Sequence, residues 1–432
     1  MKLSNVVIDV LSRVEGHGSL YLELNPENRS VKRVELKISE GARFFEYAIR
    51  GRSIYEAPLI MSRICGICGV SHAICSAKAL ENALGINLPK EIELMREAML
   101  ELNIIDSHLL HVSILSIPDY YGVKTFLELP SNVKEKVINI IKLRNYIGKV
   151  LDILSGERIH PRNIIPGGFT KLPSKEKITI VAKELNSYIK DLESFIELVI
   201  DKMLIEFKRP GHYVSLYSGN DYSVISDKIS IDSNYVVNKD EYDKYFIEES
   251  PSYSTSKKVL FRGSENFMVG ALSRMNTNKS FMVDEAKYLL RKINTAIPST
   301  NPYLIPLAQL IETLHMICRV IDILSEVYIK TPRVQIKLPE KESHGIGLVE
   351  APRGTLYHSY TVDKEGRITF SNVITPTAQN TADIENSIKM YIEKKINKPI
   401  TDKEYIKKEC EKIIRCYDPC ISCSVHAVIL KK

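Results

Sequence analysis

Two Cys-x-x-Cys pairs stand at opposite ends of the chain and constrain its fold more than any other feature. Cys65 and Cys68 form the first pair, and Cys420 and Cys423 form the second. A gap of two residues lets both thiolates of a pair bend toward one ion, so each pair is half of a four-sulfur site. Because the halves are far apart in sequence, they meet only in the finished fold. We therefore expect a metal site in the core, not a small self-folding finger.

The cysteines alone leave the identity of the metal open. Either pair by itself would also suit a zinc knuckle, a redox pair or two buried cysteines, and four cysteines also suit an iron-sulfur cluster. Soft thiolates bind nickel, iron and zinc alike. Gly66 and Gly69 are expected to let the backbone approach without a Cβ in the way. The eight cysteines follow an N-terminus with no secretion signal, which favours metal or redox chemistry over disulfides.

Composition predicts a globular, cytoplasmic protein. Hydrophobic residues make up 44% of the 432 residues, and charged residues make up 26%. The more apolar stretches, such as residues 311–329, are interrupted by charged side chains, so no membrane span is expected. The net charge of +6 comes from scattered lysines and gives no indication of nucleic-acid binding. No Gly-x-Gly-x-x-Gly loop is present, so any nicotinamide or flavin is expected on another subunit.

The spacing of apolar residues predicts a mainly α (α+β) fold, in which a bundle of long helices carries small β-sheet pieces. We expect a single domain over residues 1–426, with an N-terminal α/β lobe at 1–60 and a loop-and-strand excursion at 208–280. The predicted strands are 6–10, 19–24, 31–38 and a hairpin within 345–375. The predicted helices are 91–116, 131–156, 174–207, 282–296, 303–330, 379–396 and 402–416.

Five motifs, in the expected order, resemble those of the nickel-iron hydrogenase large subunit, and the resemblance spans essentially the whole chain. They are Arg13-Val-Glu15-Gly-His17-Gly, Arg63 to His72, Glu350-Ala-Pro352-Arg353-Gly, Ile374-Thr-Pro376-Thr377 and Asp418-Pro-Cys420 to His426. Residues 156–161, residues 166–169 and the last motif look most like the cytoplasmic archaeal sulfhydrogenase or NADP-linked group.

The resemblance implies a particular set of metal ligands. Cys65 and Cys420 would bind nickel terminally, and Cys68 and Cys423 would bridge nickel to an iron that carries cyanide and carbon monoxide. A proton released from hydrogen would pass to a nickel thiolate, for which Cys420 is our choice.

Three further residues would lie over these metals. By resemblance, Arg353 sits there with Pro352 and Thr377, where such donors hydrogen-bond the cyanides. Without the other motifs, we would interpret Arg353 as a surface arginine that forms a salt bridge. Asp418 matches a carboxylate that supports the metal ligands in the family.

Two more residues are assigned roles around the thiolates. His72 lies four residues after Cys68, and we favour a hydrogen bond from it to a bridging sulfur over a simple core position. Glu15 matches the glutamate that passes protons between a terminal thiolate and the interior. We expect Glu15 to be buried, with a raised pKa, and not an exposed residue of the first strand and turn.

A magnesium site is implied by Glu46, by the backbone carbonyl of Val373 and by His426, because oxygen-rich sites suit hard cations. The chain also departs from the family. Membrane-bound relatives carry an aspartate where Ser107 stands here, and the neighbouring Asp106 is left unassigned.

The cysteines outside the two pairs indicate that electron transfer needs partner subunits. The other cysteines, Cys75, Cys318, Cys410 and Cys416, have no cluster-like spacing, so electrons need an iron-sulfur small subunit. Flavin- or nicotinamide-binding and further iron-sulfur subunits are also expected. Residues 427–432 look like the extension that a maturation protease removes after a nickel chaperone has delivered the metal.

Two alternatives remain at this point. A non-hydrogenase relative would keep the fold as a scaffold within a quinone-reducing complex, but such relatives lack the metal cysteines. A structural zinc or iron-sulfur protein would bind metal without hydrogen chemistry.

Overall fold

Long helices and small sheets alternate along the chain. The structure, a computed structural model, describes residues 5–25, 30–41, 43–293, 297–396 and 402–425. Within these ranges the strands are β1 (Asn5–Ile8), β2 (Gly18–Asn25), β3 (Ser30–Ile38), β4 (Ile164–Ile165), β5 (Gly168–Phe169), β6 (His212–Leu216), β7 (Lys228–Ile231), β8 (Tyr235–Asn238), β9 (Phe246–Glu249), β10 (Lys258–Phe261), β11 (Phe267–Met268), β12 (Ser343–Ala351), β13 (Gly354–Val362) and β14 (Ile368–Ile374).

The helices in the same ranges confirm a mainly helical fold. They are α1 (Phe45–Ala48), α2 (Ala57–Met61), α3 (Gly69–Ala83), α4 (Lys90–Leu110), α5 (Ile117–Tyr121), α6 (Ser131–Ser155), α7 (Lys175–Asn186), α8 (Ile189–Met203), α9 (Tyr242–Tyr245), α10 (Ala271–Asn278), α11 (Asp284–Lys292), α12 (Ile305–Glu326), α13 (Pro376–Ile396) and α14 (Lys403–Cys416).

The N-terminal sheet follows the predicted pattern. Strands β1, β2 and β3 pair antiparallel, in that order. Along β2, buried and partly buried residues alternate, as expected when one face of a sheet packs on the core. The three predicted strands of this region are therefore confirmed.

The centre of the fold is formed by α4 and α12, which pack against each other and are almost wholly buried. A π-helical segment, His111–Ser116, continues α4 into α5. By length and composition, the stretches Lys90–Tyr121 and Pro302–Glu326 are apolar enough to cross a membrane. Core helices pass the same test, and 83% of each apolar window is buried inside the protein.

Two predicted boundaries were wrong. The single helix expected over 174–207 is two helices, α7 and α8, because the chain turns at Ser187. The Ser187 hydroxyl donates to the Glu184 carbonyl at 2.7 Å, a local bond that competes with helix continuation. The excursion expected to run to residue 280 ends earlier, since α10 begins at Ala271. Residues 294–296 of another predicted helix lie outside the described ranges.

The C-terminal sheet presses directly on α3, the helix that follows the first cysteine pair. Strands β12, β13 and β14 form this antiparallel sheet. A Cβ added at Gly347 of β12 would lie 2.4 Å from the Cys75 carbonyl oxygen and 2.7 Å from the Ala79 nitrogen. Glycine therefore permits a sheet-to-helix contact that fixes the position of α3.

We predict that Gly347→Ala destabilises the protein by about 1–3 kcal/mol, because the added methyl group meets helix backbone that has no room to move. Thermal unfolding of the purified chain measures the effect as a lower Tm. Gly41→Ala is the control, since a Cβ there meets nothing within 4 Å. Equal Tm values for the two variants would contradict the contact.

Candidate metal centre

The first cysteine pair lies where a short 3-10 turn, Ser62–Ile64, gives way to α3. Cys65 has extended backbone angles, and Cys68 is the N-cap residue of α3. The backbone N–H groups of Ile67 and Cys68 both donate to the Cys65 sulfur at 3.2 Å. Hydrogen bonds of this kind favour a thiolate.

Only one of the two glycines of this segment, Gly69, behaves as the sequence predicted. A Cβ at Gly69 would lie 2.3 Å from the Ile159 carbonyl oxygen, so this glycine is required by a close backbone contact. A Cβ at Gly66 would meet nothing within 4 Å. The expectation for Gly66 was therefore wrong, because that residue is exposed and faces open space.

The second pair follows α14 through a turn at Asp418, whose φ of +52° lies in the left-handed region that Asp tolerates better than most residues. Cys423 lies in a 3-10 turn, Ser422–Ser424. The Cys420 N–H donates to the Thr377 hydroxyl at 3.0 Å, which ties this loop to the first turn of α13.

All four cysteine sulfurs converge, and each lies within 4.8 Å of the others. Cys65 Sγ lies 3.4 Å from Cys420 Sγ, and Cys68 Sγ lies 3.3 Å from Cys423 Sγ. Metal–sulfur bonds of about 2.3 Å place two sulfur ligands of one ion roughly 3.3–3.8 Å apart. Cys420 and Cys423 are closer, at 2.6 Å, yet both thiols are free. The spacing fits a soft metal ion.

Burial opposes negative charge on these sulfurs. It raises the pKa of the Cys420 and Cys423 thiols well above their usual range. Burial also opposes ionisation of Cys65, but hydrogen bonds from the neighbouring cysteines and the charge of Arg353 lower the pKa of Cys65 well below its usual range. The site alone therefore favours ionisation at Cys65, and a bound cation would allow the other thiols to ionise as well.

Arg353 lies beside the sulfurs and is held there by Asp418. Its Nε donates to the Asp418 backbone carbonyl at 2.6 Å, and its Nη2 donates to the Asp418 carboxylate at 2.9 Å. Burial opposes its charge, but Asp418, followed by Cys420 and Cys65, raises the pKa of Arg353 well above its usual range. Its Nη1 is buried and has no hydrogen-bond partner among the described residues. That donor remains available to a ligand.

The loop that carries Pro352 and Arg353 is anchored from the core by Arg274. This guanidinium donates to the carbonyl oxygens of Ala351 and Pro352, at 3.1 and 3.3 Å. It is balanced by Glu312 at 2.6 Å and Glu350 at 2.8 Å, and all three charged side chains are fully buried. A buried network of this kind fixes the backbone that presents Arg353.

Glu15 lies against the second cysteine loop. It forms an isolated parallel β-bridge with Cys420, and its carbonyl oxygen accepts the Ile421 N–H at 3.0 Å. The Glu15 carboxylate accepts hydrogen bonds from the N–H and the hydroxyl of Ser422. The side chain is half-buried, where the sequence predicts a buried one.

His72 is buried in the first turns of α3. Its backbone N–H donates to the Cys68 carbonyl at 3.1 Å, so the residue lies one turn beyond that cysteine. Its ring Nδ1 lies 3.1 Å from Nε2 of His358 on β13, a partner that the motifs did not indicate.

Glu46 and Val373 are brought together. The Val373 N–H donates to Glu46 Oε1 at 2.8 Å. In a strand, the N–H and C=O of one residue point to the same side, so the Val373 carbonyl faces the same edge. Lys257 Nζ lies 3.5 Å from Glu46 and 3.0 Å from Glu248. Burial raises the pKa of Glu46. His426 lies outside the described residues.

Asp106, which the sequence left unassigned, pairs with Arg144 at 3.3 Å and with Arg158 at 2.5 Å. The Ser107 hydroxyl has no hydrogen-bond partner among the described residues. Sequence reasoning missed Arg274, Glu312 and His358. Glu312 gave a signal, since it is a carboxylate within one of the more apolar stretches of the chain.

We predict that Cys420→Ser abolishes stoichiometric nickel and iron in the purified chain, because a hydroxyl is a poor ligand for soft metals. Elemental analysis measures metal per chain. Cys410→Ser is the matched control, since Cys410 is equally buried but lies outside the cluster. Full nickel in the Cys420 variant would contradict the four-sulfur site.

Comparisons with known proteins agree on one family. A family model described as nickel-dependent hydrogenase matches residues 43–140 and 212–426. Sulfhydrogenase 1 subunit alpha of Pyrococcus furiosus is 34% identical and aligns with 98% of this chain and 98% of its own length. The NAD-reducing hydrogenase HoxS subunit beta of Cupriavidus necator is 28% identical, over 98% of this chain and 95% of its own.

Solved structures share the fold. A crystal structure of an NAD+-reducing NiFe hydrogenase in the H2-reduced state matches with a TM-score of 0.86 and 25% identity, over 99% of this chain and all of that one. The NiFeSe hydrogenase of D. vulgaris Hildenborough matches in fold with a TM-score of 0.78 at 21% identity, over 98% of this chain and all of that one. The chain therefore belongs to the nickel-dependent hydrogenase family, as a catalytic large subunit.

Proposed function

We propose that this chain reversibly splits molecular hydrogen into protons and electrons at a nickel-iron pair held by Cys65, Cys68, Cys420 and Cys423. The observation that carries the proposal is the convergence of these four buried sulfurs, within 4.8 Å of one another, beside a charged arginine. The sulfur spacing supports a single site shared by all four cysteines. Cys65 and Cys420, the two assigned as terminal ligands, are neighbours, and so are the two assigned as bridges.

When bound, a nickel-iron pair supplies Lewis-acid polarisation of hydrogen. The protein's own groups hold and tune that pair. Arg353 Nη1 is a buried donor without a partner among the described residues, and a cyanide on iron would satisfy it. The Thr377 hydroxyl accepts the Cys420 N–H, which leaves its own proton to donate. Pro352 lies beside Arg353 in the same anchored loop.

Protons leave through Glu15 in this scheme. The Cys420 sulfur accepts the proton released from hydrogen and passes it to the Glu15 carboxylate, whose backbone pairs with that of Cys420. Ser422 orients the carboxylate with two hydrogen bonds. Because Glu15 is half-buried, it can exchange the proton onward.

Magnesium is proposed at Glu46, the Val373 carbonyl and His426. The described residues suit a hard cation, because they offer oxygen ligands. The carboxylates of Glu46 and Glu248 and the amide oxygen of Asn372 surround the Lys257 ammonium there. One ammonium balances only one of the two carboxylates. The negative charge that remains would attract a divalent ion to this edge of β14.

Electrons are proposed to leave through an iron-sulfur small subunit. Large apolar side chains are exposed in and around α1 and α2, just before the first cysteine pair: Phe44 at 51%, Tyr47 at 73%, Tyr55 at 51% and Leu59 at 41%. Exposed apolar groups of this kind suit a subunit interface. Relatives are named as subunits of sulfhydrogenases and of an NAD-reducing hydrogenase. Flavin- or nicotinamide-binding subunits would then deliver the electrons to NAD(P) or a similar acceptor.

Cytoplasmic location and maturation complete the proposal. A nickel chaperone would load the site, and a protease would remove residues 427–432, which lie outside the described ranges. The electron-carrying subunits would then join the processed chain.

The test is the metal content and infrared spectrum of the processed chain, purified with its native partners. We expect stoichiometric nickel and iron, infrared bands of bound cyanide and carbon monoxide, and hydrogen–deuterium exchange activity. Zinc, or iron without nickel and without the bands, would overturn the proposal in favour of a structural metal site.

We predict that Glu15→Gln lowers hydrogen oxidation and hydrogen–deuterium exchange by about 10²–10⁴-fold, because an amide does not accept the proton. Nickel content and the infrared bands should stay unchanged, since the ligands are intact. Glu40→Gln is the control, because Glu40 lies nearby but bonds the His17 N–H instead of the cysteine loop. Exchange activity at the wild-type rate in the Glu15 variant would exclude this proton route.

A further inference from the structure

A line of buried polar groups leads from Asp418, which holds Arg353, into the helical core. Asp418 Oδ2 accepts a hydrogen bond from Gln309 Nε2 of α12 at 3.3 Å. Gln309 Oε1 lies 2.6 Å from His111 Nδ1, and His111 Nε2 lies 2.7 Å from the Arg415 backbone carbonyl oxygen of α14. The side chains of Asp418, Gln309 and His111 are at most 3% exposed, so bulk water does not replace these contacts.

Both ring nitrogens of His111 face oxygen acceptors. A carbonyl oxygen has no proton to donate, so the Arg415 carbonyl requires an N–H at Nε2, and the Gln309 amide oxygen requires one at Nδ1. Turning this amide over would place its oxygen against the Asp418 carboxylate, which also only accepts, so Asp418 fixes the orientation of Gln309. A neutral imidazole has one N–H, whereas an imidazolium ion has two. The contacts therefore require the imidazolium form of His111.

His315 shows the opposite arrangement. Its Nδ1 accepts the Val283 N–H at 3.1 Å, so this nitrogen carries no proton and the ring is neutral. Burial lowers the pKa of His315 to about 3, in agreement with the neutral form. Of these two buried histidines, the one that faces a backbone donor is neutral, and His111 faces acceptors on both sides.

Burying the charge of an imidazolium ion is costly unless other groups compensate it. Arg415 lies in the last turn of α14, where the carbonyl groups form the negative end of the helix dipole. The Arg415 guanidinium would repel a second cation, but the Asp119 carboxylate binds it at 2.6 Å. On the other side of the ring, the Gln309 amide leads to the Asp418 carboxylate. The ring thus lies between a helix end and a carboxylate, and both favour a cation.

We propose that His111 is a positioning residue that carries protons on both ring nitrogens and, through Gln309, holds Asp418 in the orientation that binds Arg353. The inference rests on the proposed function and adds to it the groups that orient Asp418. The imidazolium fixes the amide, the amide donates to one carboxylate oxygen, and the other oxygen accepts from Arg353 at 2.9 Å. Residues in such a second layer orient the groups that contact a metal and its ligands.

The first test measures the protonation of His111 directly. Nitrogen NMR of the full chain, labelled at histidine, is recorded at about pH 7.5, above the usual histidine pKa of roughly 6.5. We expect a ring in which both nitrogens carry protons, and this signal should be lost in His111→Phe. Gln309→Leu removes the acceptor at Nδ1, so it should convert the signal to that of a neutral ring. An unprotonated nitrogen in the wild-type His111 ring would overturn the inference.

Gln379→Leu is the matched control for the glutamine variant. Gln379 is also a fully buried glutamine, but its amide donates to the Thr355 carbonyl at 2.6 Å. The imidazolium signal should therefore persist in this variant. If His111→Phe fails to fold, Gln309→Leu, which keeps the histidine, still identifies the signal by its conversion.

The second test measures whether the relay reaches the metal centre. In the processed complex with its native partners, Gln309→Leu and His111→Phe should each shift the cyanide and carbon monoxide bands. Each should also lower hydrogen–deuterium exchange by about 10–100-fold, with nickel content unchanged. Because both substitutions break the same relay, the double variant should lose no more activity than either single variant, whereas two unrelated packing defects would add. Gln379→Leu should keep the wild-type bands.

Two failures are distinguishable. Wild-type bands and exchange rates in both Gln309→Leu and His111→Phe, or additive losses in the double variant, would overturn the positioning role and leave the proposed function intact. Absence of nickel and of all cyanide and carbon monoxide bands in the wild-type complex would overturn the proposed function. The NMR of the chain would still decide the protonation of His111.

Discussion

The structure depends on the meeting of four thiols from the two ends of the chain in a dry interior. Each sulfur is shielded from water, and ionising them together without a counter-charge is strongly unfavourable. Within the described part of the chain, Arg353 supplies a nearby guanidinium, and two backbone N–H groups donate to Cys65. That is too little positive charge for four thiolates. Ionisation of all four therefore requires the charge of a bound cation, which couples metal binding to the thiolate form of the site.

Buried polar groups around the site hold its geometry. Arg274, bonded to Glu312 and Glu350, fixes the backbone of the loop that presents Arg353. On the opposite side, β12 lies against α3 so closely that only glycine fits at residue 347. The first cysteine pair is therefore attached to a helix that packing fixes, and the arginine is attached to a loop that hydrogen bonds fix. Both supports lie outside the motifs.

The sequence predicted the helices and sheets well where periodicity was strong, as for β2 and α6. It failed where a local side-chain bond decided the outcome, as at Ser187 between α7 and α8. For the site, the cysteine spacing and the family motifs named groups that the structure brings together. Neither could show that Gly66 faces open space, that Asp106 pairs with two arginines, or that His358 contacts His72. Such contacts join residues distant in sequence, and no local pattern encodes them.

The attachment of the second cysteine loop has a consequence for the order of assembly. Several bonds fasten this loop near the sulfurs, among them the Thr377 bond at Cys420, the Glu15 pairing at Ile421 and Ser422, and the hydrogen bonds of Arg353 to Asp418. All of these bonds join the loop to residues far from it in sequence. Because these contacts span most of the chain, the four-sulfur site is complete only once the two distant cysteine segments have met.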